Sequence, residues 1–253
     1  LAILGRDDPG SSGLIDRVKG RLLTFGLSPL ASTAEGVELI GDTIYFRRPG
    51  NSDRAIMDRA KIQLRGEHNL LNVMAACAIA AGLHLPIEAI LAGVEGFGGV
   101  SHRLELVRRW RGAAWYNDSI ATAPERAMAA IRSFSEPLIV LAGGRDKKLP
   151  WEDFVRLVYQ RVDHLVVFGE AASLIEQACQ QVSPEFQNQP GLRLQADPLT
   201  ITRCPNLFQA VRAAADLANT GDVVLLSPGG TSFDEFRDFE ERGQCFAQWV
   251  KEL

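Results

Sequence analysis

Leu138-Ile-Val-Leu-Ala142, followed at once by Gly143-Gly-Arg-Asp-Lys-Lys148, decides the fold. An apolar run with no polar alternation predicts a strand covered on both faces, as in a parallel sheet. The glycine pair and the cations behind it mark the strand's C-terminal end and a turn away from the sheet. The same pattern recurs on either side. Strands are predicted over 104–108, 113–117, 164–168 and 223–226, and helices over 123–134, 152–161, 171–181, 207–218 and 233–251. Strand alternating with helix predicts an α/β domain with a mostly parallel sheet covered on both faces.

Upstream the pattern differs. Gly96-Phe-Gly-Gly99 separates a helix from this strand system and predicts two domains, 1–98 and 99–253. In the first, residues 1–4 read as a strand end, 6–10 as a turn and 12–19 as a short helix. Strands follow over 22–25, 37–40 and 43–46, with Gly41-Asp42 as a hairpin turn. A helix comes next, with Asn69 as its cap and Leu70, Val73, Met74, Cys77 and Ala81 on one face. The most apolar stretch, 73–94, is interrupted by His84, Pro86 and Glu88. It therefore predicts two buried helices, each too short for a hydrocarbon core of about 30 Å. Residues 183–191, with Pro184 and Pro190, read as a surface loop. The chain opens on Leu1 without a signal peptide and reads as a piece of something longer.

A net charge of −4 argues against a nucleic-acid or anionic-membrane surface, where a basic excess is expected. The four cysteines are scattered without a CxxC pair, and the histidines lack ligand spacing. Reduced cytoplasmic thiols and no metal site are the expectation. Neither GxxxxGK[ST] nor GxGxxG occurs, so the chain brings no phosphate cradle of its own.

Ligands of open α/β sheets bind beyond the C-terminal strand ends. Here those ends carry Asn117-Asp-Ser-Ile-Ala-Thr122, the Gly143–Lys148 run, Gly169-Glu170 and Ser227-Pro-Gly-Gly-Thr-Ser-Phe233. Small residues, hydroxyls and cations share one rim, which suits an anion. Thr122 with Glu125, and Ser232 with Glu235, equally suit capping boxes. Both readings stay open, because a helix start also presents free N–H groups to an anion. The stripe Phe236, Phe239, Phe246 and Val250 predicts core, with Phe239 near the rim.

Further stretches carry a family resemblance. They are Gly66-Glu-His-Asn-Leu-Leu-Asn72, Ser101-His-Arg103, Asn117-Asp-Ser119 with Ala121-Thr122, Gly143-Gly144 with Asp146-Lys147, and Ser227-Pro228 through Ser232-Phe-Asp-Glu-Phe236 to Phe239-Glu-Glu-Arg-Gly243. In this order they resemble the Mur ligases, within them the glutamate-adding member, over essentially the whole chain.

The resemblance implies that residues 1–98 are the C-terminal portion of a central ATP-binding domain and 99–253 a Rossmann-like domain that brings the amino acid. It implies a cytoplasmic, monomeric enzyme of peptidoglycan synthesis. That enzyme uses ATP and Mg²⁺ to add D-glutamate to UDP-N-acetylmuramoyl-L-alanine through an acyl phosphate. It places Asn69 and Asn72 near the adenine, Arg103 near the phosphates and Asp118 near the ribose. Thr122, Lys147, Ser232, Phe233 and Phe239 would surround the glutamyl group. Catalytic groups, phosphate loop and Mg²⁺ ligands are expected upstream of Leu1, leaving this chain inactive alone. Ile120 stands where many members have Lys, and Lys147, Lys148 or Arg145 are the candidates to supply that cation. The alternatives are a non-catalytic α/β anion-binding module, an L-glutamate-adding ligase and a folylpolyglutamate-type enzyme.

Overall fold

The computed structural model describes residues 1–189, 191 and 198–253. The chain divides into two compact units, Leu1–Gly98 and Gly99–Leu253.

The first unit is a five-stranded sheet in chain order, β1 (Ala2–Gly5), β2 (Leu22–Gly26), β3 (Gly36–Ile40), β4 (Thr43–Arg47) and β5 (Arg54–Asp58). The first three strands run parallel, and β4 and β5 are antiparallel additions. The hairpin at Gly41-Asp42 joins β3 to β4 as its two-residue turn predicts. The predicted helix at 12–19 is instead α1 (Pro9–Ser12) followed by one 3-10 turn. β5 was not legible, since a short exposed edge strand lacks a sustained apolar pattern. Helix α2 (Glu67–Gly82) lays Leu70, Val73, Met74, Cys77 and Ala78 on the sheet, and α3 (Ile87–Glu95) adds Ile90. Gly66 is the N-cap of α2. Asn69 lies inside the first turn, buried, with its amide donating to the Arg65 carbonyl at 2.7 Å.

The second unit is a six-stranded sheet in the order β10-β9-β8-β11-β7-β6. Its strands are β6 (Glu105–Trp110), β7 (Ala113–Asn117), β8 (Leu138–Gly143), β9 (His164–Phe168), β10 (Thr200–Arg203) and β11 (Val223–Gly229). All pairings are parallel except β6 with β7. The helices are α4 (Pro124–Ile131), α5 (Glu152–Arg161), α6 (Ala172–Asn188), α7 (Leu207–Leu217) and α8 (Phe239–Lys251).

Strand alternation sorts the core. Leu138, Val140 and Ala142 join Phe154, Val158 and Ile175 under α4–α6, while Ile139 and Leu141 join Leu207, Val211, Phe246 and Val250 under α7 and α8. Successive side chains thus feed opposite layers, which is why the strand shows no polar alternation.

The predicted loop over 183–191 is helical as far as Asn188, and Pro190 lies outside the described residues. Pro184 sits within α6 because tertiary contacts hold the last turn. Phe186 stacks on Tyr159 at 5.0 Å, and Glu185 takes a two-pronged bond from Arg156. No helix among the described residues is long and apolar enough to cross a membrane.

Candidate functional site

Chain direction opens the rim of the second sheet. β8 leads to α5 on one face of the sheet, whereas its neighbour β11 leads to α8 on the other. A crevice forms where connections diverge in this way. The loops around it are laced by backbone bonds. Gly229 N–H donates to Ala121 O at 2.9 Å, and Arg145 and Thr231 exchange a pair of bonds at 2.8 Å each. Gly144 permits this approach, since a Cβ there would meet Thr231 O at 2.2 Å.

Thr122 and Lys147 meet on these loops. The Lys147 ammonium donates to Thr122 Oγ1 at 3.1 Å. The Thr122 capping box does not form, because Ala123 occupies the N-cap of α4 and no side chain bonds there. The second box fails for a different reason. Residues 233–238 are turn and bend, and α8 starts at Phe239, capped by Asp238 accepting from Glu241 N–H at 2.8 Å. Ser232 is buried at the entry of that turn, and its carbonyl accepts from the N–H groups of Glu235 and Phe236. Phe233 is 59% exposed. Phe239 packs edge-on against His102 at 6.4 Å.

Asp118 is buried, with one hydrogen bond to each carboxylate oxygen. Its Oδ2 accepts from Ser227 Oγ at 2.9 Å and its Oδ1 from Leu104 N–H at 3.2 Å. Burial pushes its carboxyl up to about 7, against the Ser227 and Leu104 bonds and the positive charges of Arg103 and Arg126. Arg103 itself is exposed, between two residues with positive φ, His102 at 63° and Leu104 at 47°. Asn117 fixes that segment, with its amide nitrogen 2.9 Å from His102 Nδ1 and donating to Gly243 O at 3.1 Å. A Cβ at Gly243 would stand 2.3 Å from His102 Nδ1, so any larger residue there would push the His102 ring aside.

A folded state that favours protonated Asp118 gains stability that is fully present below the unfolded value of 3.8 and lost as pH rises through about 7. Asn at this position keeps an acceptor for Leu104 N–H and offers a donor to Ser227 Oγ. Asp118→Asn is therefore expected to stabilise the chain by roughly 2–4 kcal/mol near pH 8, with the gain shrinking towards pH 4. Urea denaturation at both pH values checks this. An equal gain at the two would rule out titration of Asp118 as the cause.

Arg242, inside the Phe239–Gly243 motif, is the residue to which the sequence assigned no role. It is 0% exposed. Its guanidinium donates to Ser119 Oγ at 2.9 Å, Ser119 O at 2.8 Å and Gly230 O at 3.1 Å, joining the loops after β7 and β11. Burial pulls it down to about 10, opposed by the charges of Asp234 and Glu235. The available signal was a charged residue in register with Phe246 and Val250 on the helix's buried stripe.

In the first unit, Asn72 lines an apolar groove of about 330 Å³ between α2 and α3, with Ile62, Val73, Ala76, Ile90 and Val94. Its amide donates to Asn69 Oδ1 at 3.4 Å. Among the described residues no group of three or more His, Cys, Asp or Glu is placed to hold a metal ion.

Residues 102–230 match the family model described as Mur ligase, glutamate ligase domain. The chain is 38% identical over 250 residues to a UDP-N-acetylmuramoylalanine–D-glutamate ligase of Desulfitobacterium hafniense, covering 99% of this chain and 51% of that protein. It is 38% identical over 253 residues to the protein of the same name from Geobacter metallireducens, covering 100% and 51%. The chain thus spans about half the length of the curated relatives it matches. A UDP-N-acetylmuramate–alanine ligase structure from Thermotoga maritima shares the fold, with a TM-score of 0.61 at 13% identity, over 100% of this chain and 52% of that one.

Proposed function

This chain belongs to the Mur ligase family, and on that premise we propose that it forms part of an ATP-dependent ligase joining D-glutamate to UDP-N-acetylmuramoyl-L-alanine. The observation that carries the reading is the Lys147–Thr122 contact on laced strand-end loops. An exposed ammonium held by a hydroxyl, beside the Ser232-Phe233 turn, offers a carboxylate a charge-assisted bond and an apolar wall. The names of the relatives support glutamate as the amino acid and D as its hand.

The residues present suit a nucleotide in two places. The groove at Asn72 has apolar walls for a flat base and an amide for its edge. Arg103 presents a cation for phosphates. ATP would supply the phosphoryl group that activates the muramoyl-linked carboxylate as an acyl phosphate. The first unit's share is to meet the base through Asn69 and Asn72; the second unit's is to offer Arg103 to phosphate and Asp118 to ribose, and to aim the glutamate amine through Thr122, Lys147, Ser232, Phe233 and Phe239. Mg²⁺ would supply charge neutralisation during phosphoryl transfer, with its ligands on other parts of the enzyme. We place the enzyme in the cytoplasm as a monomer, in keeping with four cysteines that are all free.

Calorimetric titration of the chain with UDP-N-acetylmuramoyl-L-alanyl-D-glutamate, and separately with its L-glutamyl isomer, tests the reading. Saturable binding that favours the D isomer at least about tenfold, some 1.4 kcal/mol, is expected. Equal affinity would overturn the stereochemical assignment, and a preference for L would point to an L-glutamate-adding ligase.

A further inference from the structure

We propose that Asp146 and Trp151 are positioning residues that hold Lys147 in place for the glutamyl carboxylate; this rests on the reading of the site given above. Trp151 is 2% exposed and belongs to the core, packed edge-on against Phe154 at 5.3 Å. Its indole N–H leaves that core in one direction, donating to Asp146 Oδ1 at 3.0 Å. The other carboxylate oxygen of Asp146 accepts from Lys148 N–H at 2.7 Å. Lys147 lies between these two anchors in sequence, and Lys148 takes a positive φ of 60° that closes the turn. The same indole lies against the C-terminal end of β11, since a Cβ on Gly229 would come within 2.7 Å of its ring. One buried side chain therefore ties the Lys147 loop to the end of the neighbouring strand β11.

A lysine side chain has many rotamers to lose on binding. Holding its backbone from a rigid core fixes where that side chain starts, and a displacement of about 1 Å in a supporting shell is enough to weaken a site. Trp151 thus acts through Asp146 on Lys147, without touching the substrate.

The test uses steady-state kinetics of the whole ligase carrying Trp151→Phe, which removes the N–H and keeps most of the ring, or Asp146→Ala. Lys147→Ala serves as reference. Both variants are expected to raise the Michaelis constant for glutamate about tenfold, leaving that for ATP and the kcat within about twofold. General loosening of the domain would move all three together, and that result overturns the proposal. Unchanged glutamate constants in both variants, with a raised constant in Lys147→Ala, overturn it while the proposed function stands. No saturable glutamate dependence in the unmodified ligase removes the proposed function, and this inference with it. Asp146 lies on a half-exposed loop, so Asp146→Ala decides the matter if Trp151→Phe does not fold.

Discussion

Arg242→Met is expected to destabilise the second unit by roughly 3 kcal/mol, although it replaces a costly buried charge with an apolar chain of similar reach. Three acceptors on two loops are at stake: Ser119 Oγ, Ser119 O and Gly230 O. Each loses a donor in a place water does not reach, and an orphaned buried acceptor costs about 1–3 kcal/mol. Relief of the guanidinium's own desolvation offsets part of that sum, which keeps the net near the lower end. Arg242→Lys is expected to fare little better. A guanidinium spreads its donors over a planar fork, whereas one ammonium cannot span both loops in the same geometry. Denaturant unfolding of the second unit, followed by tryptophan fluorescence, measures the change. An unshifted midpoint in Arg242→Met would show that the two loops hold together without the clamp.

The contrast between Arg242 and the residues around it shows which features of the fold are legible in the sequence. Continuous apolar strands announce themselves because both faces are covered, so 138–142, 164–168 and 223–226 were readable from composition alone. Helix α5 was predicted over its observed span, since its apolar and polar faces alternate cleanly between Glu152 and Arg161. Edge strands β5 and β10 were not, because an edge needs only part of its surface buried and keeps polar residues. Pro184 suggested a loop by local rule and was overruled by Phe186 and Glu185, whose partners are distant in sequence.

Site residues follow the same division. Strand ends with glycine, hydroxyl and cation identify the rim, since ligand position in an α/β sheet follows from topology. Which hydroxyl does what is not local. Thr122 and Ser232 each precede a plausible capping partner, yet Thr122 turns to Lys147 and Ser232 starts a turn that delays α8 to Phe239. A capping signature reports what a helix start would accept, and Lys147, which arrives from another strand, competes for the same oxygen. Asp118 shows the converse. Its motif suggests a ligand contact, while its surroundings make it an anchor for Leu104 and Ser227 first.

Lys147→Ala in the whole ligase is expected to raise the Michaelis constant for glutamate about ten- to a hundredfold, the equivalent of one charge-assisted bond of about 1.5–3 kcal/mol. Where in that range the effect falls depends on the other cations of this particular rim. Ile120 brings no charge where many family members have Lys, and its own N–H is occupied by His102 O at 3.1 Å. Arg145 is already held by Glu170 through bonds of 2.9 and 3.0 Å. A glutamate carboxylate that loses the Lys147 ammonium is therefore left with Lys148, next along the chain, since Arg145 would first have to break its pair with Glu170. Folding should be untouched, because Lys147 is exposed and gives up only its bond to Thr122. The ATP constant should also hold, since Arg103 lies on a different loop, the one before β6. Steady-state kinetics with glutamate and ATP varied in turn separate these effects. An unchanged glutamate constant would remove Lys147 from the site and leave the rim without its principal cation.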